Sequence, residues 1–272
     1  MRALIALAAS MIAAGCVPLA AESKGDRIVS LDLCADQMVT GLVPPERIAA
    51  VSTEANMDAA VIEAVSADTP RIRADAERVI AMRPTLVVRS YSGGPRFDRA
   101  MEKAGIPVIT LPYADTIAAT RKAIVDAGQK VGEPKAAAAR LAQFDDDLGA
   151  PTTQYPALSA LYLTPGNVTT GRGSLIEEMM RQAGFTSYEQ RAGWHSIPLE
   201  RIAQDRPDAI VRGFFDRAAF RQDRWSTSDH QIIKARIDGV PSIAVRGSDL
   251  SCANWRVGQT VAALRRFRAS IK

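Results

Sequence analysis

Two stretches of this 272-residue chain repeat one another and put similar chemistry at equivalent places. Residues 77–88 are followed by Arg89, Ser90 and Tyr91. Residues 200–211 follow the same pattern and lead into Arg212, Gly213 and Phe214. Each copy reads as a short helix, a proline stop, a buried strand and a loop. Guanidinium groups at two such matched strand ends suit carboxylate, catecholate or phosphate oxygens, because each offers planar paired donors. The plainer alternative is that each arginine closes a salt bridge inside its own half. Tyr91, Trp194, Phe214, Trp225 and Trp255 are aromatics able to form the flat apolar walls of a small-molecule cleft, or else to fill a core. Arg172 lies between Gly171 and Gly173, just before an N-cap at Ser174, and could reach the same ligand. The glycine pair lacks the third glycine and the acidic residue of a dinucleotide site.

Other chemistry is poorly supplied. Only His195 and His230 are present, too few for a typical zinc or manganese site. No Gly-x-Ser-x-Gly elbow surrounds Ser174, and no paired carboxylates stand out. The expectation is therefore a binding protein with no catalytic residues, no metal ligands and no resident cofactor. Cys34 and Cys252 remain once Cys16 is set aside with the leader. In an oxidising compartment such a pair bridges, restricting the unfolded chain by on the order of 4–5 kcal/mol. Two separate buried thiols are the alternative.

The elements that carry these residues alternate. Strands are read at 27–32, 47–52, 86–88, 107–111, 158–163, 209–211 and 242–245. Helices are read at 34–42, 59–66, 75–82, 97–104, 174–183, 198–204, 229–237 and 253–268. Alternation of this kind argues for mostly parallel sheets covered on both faces. Ligands then sit at the carboxyl ends of the strands, which selects the loops at 32–34, 89–96, 164–174, 212–215 and 247–255. Between the halves, residues 115–150 carry helical apolar spacing, with a brief interruption at Gly132, Glu133 and Pro134. The division is 22–114 for a first α/β lobe, 115–150 for the linker helix region and 151–272 for a second α/β lobe.

An apolar content of 47% excludes general disorder. The net charge of +4 comes from scattered residues, without a basic run, so nucleic acid is not an expected partner. Residues 1–21 read as a secretory signal: Arg2, a short apolar run, then small residues. Cleavage after Ala21 competes with a lipobox-like reading in which Cys16 becomes a lipidated N-terminus.

The opening at 27–37, which contains Asp32, Cys34 and Gln37, and the segment 45–52 together resemble the start of periplasmic binding proteins for iron–siderophore chelates and cobalamin. Residues 77–88 are similar to that family's helix-then-strand signature. The likeness covers most of the mature chain and is strongest in the first half; no single motif is diagnostic, but the ordered set is fairly specific. It implies two Rossmann-like lobes joined by a single long helix, with the ligand in the cleft between them. It further implies a monomer in the periplasm that delivers its ligand to the inner-membrane permease of an ABC importer. Glu77 and Glu200 match the family's permease-docking glutamates, although an acid in a helix first turn also suits the helix dipole. Trp194 lies six residues before Glu200, where related cobalamin binders carry a stacking tryptophan. The equivalent first-lobe position is Arg71, so a two-sided aromatic clamp is not expected there. That departure favours an anionic iron–siderophore chelate over cobalamin or another corrinoid, or haem.

Overall fold

A computed structural model describes residues 26–214 and 239–271. The first sheet has strand order β3-β2-β1-β4-β5, formed by Arg71–Ile72, Ile48–Ser52, Ile28–Ser30, Leu86–Arg89 and Val108–Thr110. The second has order β11-β10-β6-β8, formed by Ser242–Val245, Ala209–Gly213, Leu158–Leu163 and Phe185–Ser187. Every pairing in both sheets is parallel. The orders β2-β1-β4-β5 and β8-β6-β10-β11 are equivalent, so the internal repeat seen in the sequence is a repeat of topology. The strand reading missed a two-stranded antiparallel ribbon in the second lobe, β7 (Val168–Thr170) with β9 (Trp194–Ser196).

Strand alternation divides the apolar residues between two sides of each sheet. Ile28 and Val88 of the first sheet share one large core with Ala160, Tyr162 and Val211 of the second. Val29, Leu31 and Val87 face the opposite way, against Phe97 and Met101 of α4 (Pro95–Lys103). Leu161, Leu163 and Ile210 do the same in the second lobe, with Ile202 of α8 (Leu199–Gln204).

The shared core is built around the connecting helices. The linker region is two helices with a turn at the interruption read at residues 132–134, where the family resemblance implied one long helix. α5 (Ile117–Lys130) and α6 (Pro134–Leu148) form an antiparallel pair. Gly132 turns the chain with φ +76° and Pro134 starts the second helix. Arg121 on α5 bridges Asp145 on α6 at 2.8 Å, and Gly128 lies so close to Ala137 that a Cβ at 128 would come within 2.2 Å of it. A proline-led start and a left-handed glycine end one helix and begin another; they do not bend a continuous one. α10 (Arg256–Ser270) packs along α6 and completes the layer.

One buried acid gives this core a pH dependence. Asp36, on α1 (Leu33–Leu42), is fully buried and accepts hydrogen bonds from the Ser30 and Ser52 hydroxyls and the Ser52 N–H. Desolvation raises its pKa from 3.8 to about 6, with the hydrogen bonds from the two serines opposing the rise. A folded-state value above the unfolded one means that the contribution of Asp36 to stability is greatest below pH 3.8 and is lost as pH rises through about 6. The loss is roughly 3 kcal/mol. Asp36→Asn should therefore abolish most of the fall in unfolding free energy between pH 4 and pH 7. Urea titrations at the two pH values check this; an unchanged fall in the variant would assign the dependence elsewhere.

Candidate functional site

The carboxyl ends of the strands converge on one cleft between the lobes. After β1, Asp32 caps α1 and Cys34 follows in the first turn. Ser90 comes after β4, and Leu111, Pro112 and Tyr113 after β5. From the second lobe come Ser174 and Leu175 at the start of α7 (Leu175–Gln182), Trp194 on β9, and residues 250–254 beyond α9 (Gly247–Leu250). All except Asp32 line the cleft. The cavity is about 50 Å³ and opens to solvent at its mouth.

Asp32 fixes the first-lobe wall. Its carboxylate is fully buried; Oδ1 accepts the Ala35 N–H at 3.1 Å. Oδ2 accepts three successive backbone N–H groups, from Ser90 at 2.7 Å and from Tyr91 and Ser92 at 3.1 Å each. One side chain thus holds both the helix start and the loop that brings Ser90 to the cleft.

Two exposed aromatic rings face the mouth, one from each lobe. Tyr113 is 75% exposed and Trp194 52% exposed. Trp194 rests edge-on against the buried Tyr162 ring, centroids 6.0 Å apart at 72°. The six-residue spacing that matched Trp194 with Arg71 holds in the structure, since each opens a short strand, β9 or β3. The settings differ: β3 is the edge of the main sheet, and Arg71 there donates to the Thr69 carbonyl at 3.3 Å. The first-lobe ring comes instead from Tyr113, which the sequence reading passed over. The strand-end rule, applied to the strand read at 107–111, points straight at it.

The guanidinium of Arg89 is directed into its own lobe. Its Nε donates to Thr110 Oγ1 at 3.2 Å, one terminal nitrogen to the Ser92 carbonyl at 2.9 Å, and the other to the Asp98 carboxylate at 2.9 Å. Strand alternation is the cause: Val88 faces the shared core, so Arg89 faces α4. Arg212, exposed on β10, is not among the cleft-lining residues. Arg172 is exposed and donates to Gln190 Oε1 at 2.8 Å. Tyr91 is 59% exposed, and its hydroxyl donates to Glu54; burial and that carboxylate both push the phenol's pKa up. Phe214 has φ +65° and lays its ring against Gly247, where a Cβ would come within 2.5 Å. Trp255 is buried core beneath the Arg140 guanidinium. Trp225 and His230 lie outside the described residues, as do the leader and Cys16.

His195 is turned away from the cleft mouth. Its Nε2 lies 3.4 Å from the buried Glu189 carboxylate, and its Nδ1 lies 3.0 Å from the Gly193 carbonyl. Glu189 also pairs with Arg201 at 3.1 Å. Among the described residues, no group of three or more His, Cys, Asp or Glu side chains could hold a metal ion, and no helix is long and apolar enough to cross a membrane. Glu77 and Glu200 are exposed in the first turns of α3 (Ala76–Ala81) and α8, the two equivalent helices of the repeat. Cys34 and Cys252 are joined in a disulfide, Cα atoms 5.1 Å apart, across the cleft wall.

Solved structures share this architecture. The periplasmic heme-binding protein RhuT from Roseiflexus sp. RS-1 is 19% identical, with a TM-score of 0.68 over 91% of this chain and 100% of its own. The periplasmic heme-binding protein HutB of Vibrio cholerae is 15% identical, with a TM-score of 0.71 over 89% of this chain and 98% of its own. The periplasmic vitamin B12-binding protein BtuF of Vibrio cholerae is 15% identical, with a TM-score of 0.61 over 89% and 96%. No curated protein matches the chain. A family model described as periplasmic binding protein matches residues 28–227, which takes in both repeats, Tyr113 and Trp194. With its two parallel-sheet lobes and a cleft at their strand ends, the chain belongs to the periplasmic binding protein family, whose members bind small solutes and work with ABC importer permeases.

Proposed function

We propose that the cleft captures a flat tetrapyrrole, haem or a corrinoid, and delivers it to the permease of an ABC importer. The observation that carries this reading is the pair of exposed rings, Tyr113 and Trp194, one on each lobe of the same cleft. Flat apolar walls with a few hydroxyl groups suit a broad planar ligand; here the polar groups are Ser90, Ser174 and Ser251. Glu77 and Glu200, exposed on equivalent helices, serve as the docking points for the permease. The leader directs the chain to the periplasm, either by cleavage after Ala21 or by lipidation at Cys16.

A second reading, an anionic iron–siderophore chelate, keeps one supporting observation. Arg212 and Arg172 are both exposed in loops or strands of the second lobe. It is weakened by Arg89, whose hydrogen bonds all run to its own lobe.

Tryptophan fluorescence distinguishes the two. The protein is titrated with haemin, cyanocobalamin, a ferric tris-catecholate and a ferric hydroxamate. Saturable sub-micromolar quenching by haemin or cyanocobalamin, without saturable quenching by the ferric chelates, is the expected result. Saturation by a ferric chelate alone would replace the tetrapyrrole with the siderophore.

A further inference from the structure

The cleft wall formed by Cys34, Cys252 and Asn254 is also where the two lobes are fastened together. The disulfide ties α1 of the first lobe to the segment after α9 of the second. Directly behind it, Asn254 Nδ2 donates to Gln37 Oε1 at 2.6 Å, and Asn254 Oδ1 accepts the Arg256 N–H at 2.9 Å. Gln37 Nε2 donates to Asp58 Oδ2 at 2.8 Å and to the Ser248 carbonyl at 3.0 Å. Arg256 grips Asp58 with both terminal nitrogens, Nη2 to Oδ1 at 3.1 Å, and reaches Asp249 at 3.2 Å. Gln37, Asp58, Asn254 and Arg256 are all buried. Gln37 and Asp58 belong to the first lobe; Ser248, Asn254 and Arg256 belong to the second.

Burial pushes the Asp58 carboxyl up, but the hydrogen bonds from Arg256 and Gln37 outweigh it and hold its pKa below the ordinary value. Parting such a pair leaves a charge buried without a partner, so it stays closed. A disulfide alone is one point of attachment and permits rotation about itself. The ion pair adds a second point, and two points define an edge. Tyr113 and Trp194, also in the lining, stand on a loop and on a two-stranded ribbon, and both are exposed.

We infer that Cys34, Cys252, Asp58 and Arg256 set the aperture of the cleft before a ligand arrives and so determine how tightly it is held. The elements that carry Tyr113 and Trp194 are then the ones that adjust. A preformed site avoids the cost of ordering the two lobes on binding. The inference rests on the cleft being the ligand site, and its test separates the two ideas.

Spin labels are placed at Glu77→Cys and Glu200→Cys, on exposed positions of opposite lobes, with Cys16→Ser so that no other free thiol remains. Interlabel distances are measured without ligand in three backgrounds. The first is otherwise unaltered. The second carries Cys34→Ser with Cys252→Ser, and the third carries Asp58→Asn with Arg256→Met, which removes both charges together and strands neither. Far-UV circular dichroism confirms folding, and each pair of substitutions tests the inference if the other fails to fold. A narrow distribution in the unaltered background that broadens by several ångströms in the variants is expected. The variants' affinity for haemin or cyanocobalamin, whichever the unaltered protein binds, should fall roughly tenfold. Distributions equally narrow in the unaltered and variant proteins would overturn the inference, as would broadening with unchanged affinity. The distance measurement needs no ligand, so it decides the aperture even if neither tetrapyrrole binds.

Discussion

Alanine at both Tyr113 and Trp194 is expected to weaken haemin or cyanocobalamin binding by roughly 10²–10³-fold, with each single variant losing about tenfold. The two rings are the largest apolar surfaces at the cleft mouth, and they come from opposite lobes. Truncating either removes one face of the stacking contact and lets water reach the other. The fold should tolerate both changes, because Tyr113 is 75% exposed and Trp194 52% exposed. The ring contact at stake is the edge of Trp194 on Tyr162, of a kind worth about 0.5–1.5 kcal/mol. Calorimetric titration is the suitable measurement, since removing Trp194 also removes a fluorescent reporter. A double variant that binds within threefold of the parent would show that the rings are not the ligand's walls.

Asp32→Ala is expected to cost roughly 3–5 kcal/mol of folding stability, out of proportion to a single small side chain. The carboxylate accepts four backbone N–H groups, one from the start of α1 and three from the loop after β4. It is fully buried, so water cannot simply take its place. Hydrogen bonds to a charged acceptor are among the stronger ones, and removing the acceptor leaves all the donors wanting at once. Asp32→Asn keeps an acceptor and the shape, and should fall between the two. Urea unfolding gives the answer directly. A loss below about 1 kcal/mol would mean that the 90–92 loop finds other partners and that Asp32 does not hold the cleft wall.

The repeat was legible in the sequence because helix stops and buried strands leave local signatures. Prolines at equivalent places, aliphatic runs and first-turn acids recur in both halves, and the equivalent strand orders of the two sheets are the physical form of that recurrence. The connecting segment was only half legible. Gly132, Glu133 and Pro134 mark a break, but whether the chain then continues or folds back depends on what α6 packs against. That is settled by contacts such as Gly128 with Ala137 and α6 with α10, between residues far apart in sequence or across a turn.

Site residues divide in the same way. Trp194 was found because its spacing from Glu200 is local. Arg89 was correctly placed at a strand end, yet its direction follows from the pleat: with Val88 turned to the shared core, the next side chain must face α4 and Asp98. Tyr113 escaped notice because the loop after the strand read at 107–111 was left out of the strand-end loops selected, although the same rule applies to it.

The sequence by itself determined the alternation of strands and helices, the duplication, the family and the strand ends from which a ligand site must be built. Periodicity, caps and turn residues act over a few residues, so they can be read along the chain. Only the tertiary structure decided which of those loops meet, that Tyr113 and Trp194 line the same cleft, and that Gln37 and Asp58 close on Asn254 and Arg256 beside the Cys34–Cys252 bridge. These contacts join residues up to 218 positions apart, and no local pattern encodes the packing of one lobe against another.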